Sequence, residues 1–245
     1  MPALEHPLGW RAPYWTALVL ALAAVPVLAA SAADTERPHR ESLSGRVLSD
    51  GRLYRLGAMH AATFGLSVVA GNWIVTLLTR TSGFSHEKAG AVGTFVLLGG
   101  LVTRPLGGVL IRLHSDVARA IVLGSLIAGA AATGLLAAFA TLPLGVALPA
   151  AIVAGSAAGL PFAAVFTAAQ RLRRDAPGAA VGLVNGVAVL VILAGTPLAG
   201  LAFSLPGDGR IGFGVLAGLW AAALALVPSH RDLAEPLTEP PTGDP

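Results

Sequence analysis

The sequence predicts an all-α, polytopic membrane helix bundle of seven transmembrane helices. Composition is the first ground. Of the 245 residues, 55% are hydrophobic and 12% charged, and mean hydropathy is +0.74; an ordinary soluble domain carries about 25% charged residues. Run length is the second: seven apolar stretches approach or exceed the roughly 20 helical residues that cross about 30 Å of hydrocarbon. The third is continuity. A membrane barrel would show roughly ten-residue segments of alternating polarity, and these runs do not alternate.

The first predicted span, Tyr14–Ala33, has two readings. It is long enough to cross, but Ala30-Ser31-Ala32 also has the form of a signal-peptide cleavage site. Cleavage there would leave the Arg-rich segment that follows outside, against the charge bias described below. That segment, 34–55, is polar, contains five Arg and reads as a cytoplasmic loop. The next five spans are Leu56–Leu78, Ala89–Ile111, Val117–Phe139, Leu144–Thr167 and Ala179–Phe203. The seventh, Ile211–Val227, is the shortest. Pro and Gly mark the loops at Thr141-Leu142-Pro143, Asp175-Ala176-Pro177-Gly178 and Leu205-Pro206-Gly207-Asp208-Gly209. The domain reading is therefore a first helix with an external N-terminus (1–33), the Arg-rich loop (34–55), a six-helix half-bundle (56–228) and a Pro- and acid-rich disordered tail (229–245).

Basic residues set the orientation. Loops assigned alternately to two sides place Arg37, Arg40, Arg46, Arg52, Arg55, Arg112, Arg119, Arg171, Arg173, Arg174 and Arg231 on one side. Arg11, Arg80, Lys88 and Arg210 fall on the other. The side with the excess is cytoplasmic by the positive-inside rule, so the N-terminus is outside and the C-terminus inside. The same rule explains the sequence pI near 10.2 without a nucleic-acid partner.

Arg104 belongs to neither side. It lies within Ala89–Ile111, a guanidinium that stays protonated at any physiological pH. None of the 13 Asp and Glu residues falls inside a predicted span. A charge at that depth costs several kcal/mol on the gentlest scales, and an intramembrane Arg is by default a functional-site hypothesis. Its counter-charge is water, backbone carbonyl, a partner or an anionic substrate. The competing reading is a side chain that snorkels to the interface, about 10 Å away along the helix. Asn72 and Asn185 are candidate substrate-path residues, as is Gln170, although bonding between helices is the commoner use of such side chains. His60, near the cytoplasmic end of its span, reads as an interfacial histidine, with a proton-relay role as the alternative. Gly and Pro residues inside the spans suit close helix packing; Pro105, Pro161 and Pro197 also interrupt spans and loosen the backbone.

From Leu56 to Val227 the chain resembles the C-terminal half of a major facilitator superfamily transporter. The most specific stretch is Thr103-Arg104-Pro105-Leu106-Gly107-Gly108, similar to the end of the eighth helix of nitrate/nitrite porters. Thr63-Phe64-Gly65 is similar to the seventh helix, and Ala179-Ala180-Val181-Gly182-Leu183-Val184-Asn185-Gly186 resembles the eleventh. The resemblance implies helices 6–12 of a twelve-helix fold and gives Arg104 the role of binding the substrate anion. The chain departs from the porters in following Asn185 with Gly186-Val187-Ala188-Val189 rather than a Gly-Asn-x-Gly-Gly signature. It also carries Arg112 where superfamily members tend to have an acid.

Other function classes lose support. Cys is absent, which excludes disulfides and thiolate chemistry, and the six His residues show no metal-ligand spacing. There is no nucleophile elbow or phosphate loop. The expectation is a multi-pass protein of the cell membrane, not an enzyme and without a cofactor. It would transport a small anionic solute, nitrate/nitrite-like or organic, by alternating access. Its expected partners are the lipid bilayer, the solute, and a separate N-terminal half or a second copy of itself. The alternatives are a truncated, inactive transporter and a non-transporting membrane scaffold or accessory subunit.

Overall fold

A computed structural model of the chain describes residues 11–31, 45–228 and Leu233. The chain divides into two units, Met1–Glu41 and Ser42–Pro245. In the first, α1 (Ala12–Ser31) is a helix with apolar side chains all round, and Tyr14, Trp15, Val19, Leu20 and Val25 are exposed on it. Its apolar part, Tyr14–Val27, is shorter than a full span. The cleavage-like Ala32 and the expected end at Ala33 lie outside the described residues.

The second unit is helical throughout, with no strand among the described residues. Its helices are α2 (Gly45–Leu48), α3 (Gly51–His60), α4 (Leu66–Ser82), α5 (His86–Leu113), α6 (Ala118–Ala138), α7 (Leu144–Gly159), α8 (Phe162–Leu172), α9 (Pro177–Leu201) and α10 (Arg210–Ala222). Five helical stretches are long and apolar enough to cross a membrane: Gly51–Ser82, His86–Leu113, Ala118–Ala138, Leu144–Leu172 and Pro177–Ser204. A shorter apolar one, Arg210–Leu226, covers the seventh expected span.

Local chemistry explains the ends. Asp50 caps α3 by accepting from the Arg52 backbone N–H at 3.1 Å, and Ser85 caps α5 by accepting from that of Lys88 at 3.3 Å. Gly83 closes α4 in the left-handed region at φ 63°, where a side chain would strain the backbone. Pro177 sits at the start of α9, where its missing N–H is not needed.

Two sequence expectations are corrected. The segment 34–55 is not a loop throughout: Gly45–Leu48 is helical, and the next helix begins at Gly51 instead of Leu56. The Asp50 cap starts it, and Val47 and Leu53 are buried, so this end is anchored by apolar packing despite its arginines. Of the three prolines expected to interrupt spans, Pro161 alone marks a break, between α7 and α8. Helices α5 and α9 run on through Pro105 and Pro197, and neighbouring helices make such prolines tolerable in membrane helices. The expected disordered tail, 229–245, lies outside the described residues except Leu233.

The stretch Gly51–Ser82 is the hub. Its most apolar 18 residues are 61% buried, against 11% for α5 and 17% for α9. It packs on α9 along α3, and on α5 along α4. Helix α5 crosses α7, and α6 lies between α7 and α10. The α5–α7 crossing is set by glycine. A Cβ on Gly155 would overlap the Val96 carbonyl, one on Gly107 the Leu160 carbonyl, and one on Gly159 the Thr103 hydroxyl. The first two are backbone-to-backbone approaches that only missing side chains permit. Thr103 fastens the crossing, its hydroxyl lying 2.7 Å from the Gly99 carbonyl on its own helix and 3.2 Å from the Ser156 carbonyl on α7. On the other side, the Trp220 ring occupies the space that a Cβ on Gly129 would fill, and Trp220 is fully buried.

Three arginines counted above as topology signals also cap helix ends. Arg55 donates to the Leu226 and Val227 carbonyls at 2.6 and 2.9 Å. Arg210 donates to those of Ala137 and Ala138, both at 2.8 Å, and Arg80 to that of Phe203 at 3.1 Å. Cations at helix C-termini satisfy orphan carbonyls and meet the negative end of the dipole.

Candidate functional site

The glycine crossing places Arg104. Its position on α5 lies between Gly100 and Gly107, and a Cβ on Gly159 would come within 3.1 Å of its backbone nitrogen. Just past Gly159 the chain breaks at Pro161 and α8 begins with Phe162. The Arg104 Cζ lies 4.7 Å from the centroid of the Phe162 ring. It lies 4.9 Å from that of Phe64, which belongs to a π-helical turn, Ala61–Gly65, joining α3 to α4. Such turns inside α-helices recur at functional sites. Here Thr63 stabilises the turn, its hydroxyl donating to the Met59 carbonyl at 2.9 Å.

The guanidinium thus lies over two aromatic rings, and Arg104 is half-buried. Each contact is worth about 0.5–2 kcal/mol, depending on desolvation. Ring faces meet the charge but accept none of the five N–H groups in the usual hydrogen-bond geometry. The Arg104 Nε is buried without a hydrogen-bond partner. Among the described residues of α5 the acid is Glu87, in the first turn and about 25 Å from Arg104 along the helix. The two ion pairs between described residues, Arg52–Asp50 and Arg173–Asp175, lie at helix ends. A buried, unmatched donor costs about 1–3 kcal/mol, more when charged, so the arrangement leaves an N–H for a water, a carbonyl or an anion to meet.

His60 shares the same two rings. Its imidazole stacks on Phe64 with centroids 5.1 Å apart and 16° between planes, and meets Phe162 and Phe166 edge-on at 5.6 and 4.7 Å. It is 1% exposed, and its Nε2 is buried with no partner. The π turn and the break at Pro161 bring Phe64, Phe162 and Phe166 around it. Asn185 on α9 and Arg104 on α5 are its polar neighbours.

Of the three expected substrate-path residues, Arg104 and Asn185 therefore converge on His60, and Asn185 is exposed on the other side. Asn72 stands apart. Its Nδ2 lies 3.3 Å from the Thr196 hydroxyl, tying α4 to α9 about 16 Å along α9 from Asn185. Gln170, near the end of α8, is exposed. The sequence reading gave no site role to Phe64, Phe162 or Phe166. A signal was present: His60 with Phe64, and Phe162 with Phe166, are i,i+4 pairs, the spacing that stacks side chains on one helix face. Among the described residues, no group of three or more His, Asp or Glu side chains could hold a metal ion.

Compared with protein-family models and with curated proteins, the chain finds no match.

Proposed function

We propose that this chain is part of an alternating-access carrier of a small anion in the cell membrane, and that Arg104 holds the anion. The carrying observation is a guanidinium between the rings of Phe64 and Phe162, with a buried unmatched Nε and no ion pair to any described acid. A permanently charged planar fork suits nitrate, a carboxylate or a similar oxyanion, which it grips with two hydrogen bonds. In this reading Asn185 supplies a neutral polar contact beside it, and Asn72 lines the approach. Seven spans, with α1 and the Arg210–Leu226 stretch as the first and last, give an external N-terminus and a cytoplasmic C-terminus. The substrate site of such carriers lies between two six-helix halves that rock about it. The second half here is a separate protein or a second copy, and the unit performs no catalysis.

The test is nitrate binding and uptake by the chain reconstituted together with its second half, with membrane insertion measured separately. Arg104→Ala removes charge and fork and abolishes binding. Arg104→Lys keeps the charge but loses the fork, and weakens it. An Arg104→Ala protein that inserts normally and transports nitrate at the wild-type rate would reduce Arg104 to a packing residue and end the anion reading.

A further inference from the structure

We infer that the groove between α9 and the Arg210–Leu226 stretch is a binding site for an anionic glycerophospholipid, whose phosphate meets Arg55 and whose acyl chain lies in the groove. The two helical stretches follow one another in the chain but pack on different neighbours, α9 on α3 and α10 on α6. Between them lie two adjoining sections of cavity, about 670 and 300 Å³ in volume. Leu66, Val191 and Leu219 line both sections, so the groove is continuous. Among the described residues Ser204 is its one polar lining residue. On α9 the lining runs from Val187 to Leu201, about 21 Å of helix, against a hydrocarbon core of about 30 Å. Arg104, Phe64 and Phe162 do not line it, so the site stands whatever Arg104 binds.

An empty groove in a bilayer forfeits the dispersion contacts of its walls, and a flexible apolar chain restores them. Charge decides which lipid supplies that chain. At the α3 end the groove runs out beside Leu226, whose carbonyl accepts from Arg55 at 2.6 Å. The small cleft next to it is lined by Arg52, Arg55, Leu56, Leu172 and Pro228. Arg52 is paired with Asp50 at 3.1 Å. Arg55 is exposed and donates to two carbonyls, which meet its N–H groups but leave its charge uncancelled. Neither ion pair between described residues includes Arg55. The end of the groove therefore carries net positive charge beside an apolar channel, the complement of a phosphodiester joined to an acyl chain. In the orientation proposed above this end is cytoplasmic, where arginines just outside the hydrocarbon attract anionic lipid. A chain from that leaflet reaches the midplane, about 15 Å in, and so fills the smaller section and enters the larger one.

The experiment uses the full chain in phosphatidylcholine nanodiscs. The probe is phosphatidylglycerol carrying a photoreactive diazirine midway along one chain, with phosphatidylcholine bearing the same chain as the comparison. Adducts are located by peptide mass spectrometry. Phosphatidylglycerol labels groove residues such as Val191 and Leu219 about fivefold more than phosphatidylcholine does, the preference that one arginine gives near an anionic headgroup. Arg55→Gln removes the preference, and Arg55→Lys, which keeps the charge, retains it. Ala222→Trp fills the smaller section from an exposed position and removes the groove adducts. Ala194→Trp does the same from α9 should the first variant not fold. Equal labelling of the groove by the two lipids overturns the headgroup assignment. Adducts spread evenly over the exposed faces of α5 and α9, or groove adducts that survive both Trp variants, overturn the site. So does a groove that takes no label while Leu219→Cys, in a chain with no other cysteine, forms disulfide-linked dimers, because a second copy then covers it.

Discussion

Alanine at Gly155 tests the crossing that positions the site. A Cβ there would overlap the Val96 carbonyl oxygen and lie 2.8 and 2.9 Å from the Val96 carbonyl carbon and Cα. Carbon pairs settle at about 3.5–4.0 Å, so α5 has to retreat from α7 by about 0.7–1 Å. The obstacle is backbone on a continuous helix, and no rotamer change relieves it. A gap of that size forfeits roughly a quarter to a half of each dispersion contact along the crossing. Overpacking in a tight core costs about 1–3 kcal/mol. The upper part of that range applies, because α5 also approaches α7 closely at Gly99, where a Cβ would stand 2.9 Å from the Ser156 nitrogen. The expected loss is about 2–3 kcal/mol, or roughly 30- to 150-fold in the unfolding equilibrium. Reversible unfolding in mixed micelles measures it. Gly182→Ala is the control: nothing lies within 4 Å of its Cβ, so it changes stability by no more than about 1 kcal/mol. Equal stability of the two variants would refute the close approach. Gly155→Ala also weakens nitrate binding, since a displaced α5 carries Arg104 away from Phe162.

Three further outcomes follow from the ends of the helices. Arg55→Ala loses two charge-assisted hydrogen bonds to the Leu226 and Val227 carbonyls and lowers thermal stability by about 1–2 kcal/mol, which Arg55→Lys restores in part. The Asp175 carboxyl is held below its ordinary value of 3.8 by hydrogen bonds from Arg173 at 2.9 and 2.6 Å. Its small contribution is therefore complete above about pH 4 and disappears as pH falls through the depressed value. Wild type and Asp175→Asn should then differ in thermal stability at neutral pH and converge at strongly acid pH; a difference that persists there would contradict the pairing. Single cysteines at His86 and His114, in a chain with no others, are labelled from outside and from the cytoplasm respectively; the reverse pattern in intact cells would invert the proposed orientation.

The sequence by itself determined that the chain is helical and that it contains helices fit to cross a membrane. Both depend on one-dimensional quantities, the length of an apolar run and the spacing of charge, and the expected spans from Leu56 onward overlap the observed helices. It also isolated Arg104, because a lone guanidinium in an acid-free run is unusual at any register. Some local structure was out of reach. The segment 45–55 is helical despite its arginines because Val47, Leu53 and Leu56 find apolar partners that no local pattern displays. Pro161 breaks a helix and Pro105 does not, a difference that depends on what packs beside each. Only the tertiary structure decided what surrounds Arg104. The π turn at Ala61–Gly65 and the fresh start at Phe162 come from segments about a hundred residues apart, and the α5–α7 glycine crossing brings them to a side chain on a third. Periodicity fixes which face of a helix is apolar; it carries no information on which distant face that helix will meet, so the aromatic compartment shared by His60 and Arg104 appears only once the helices are packed.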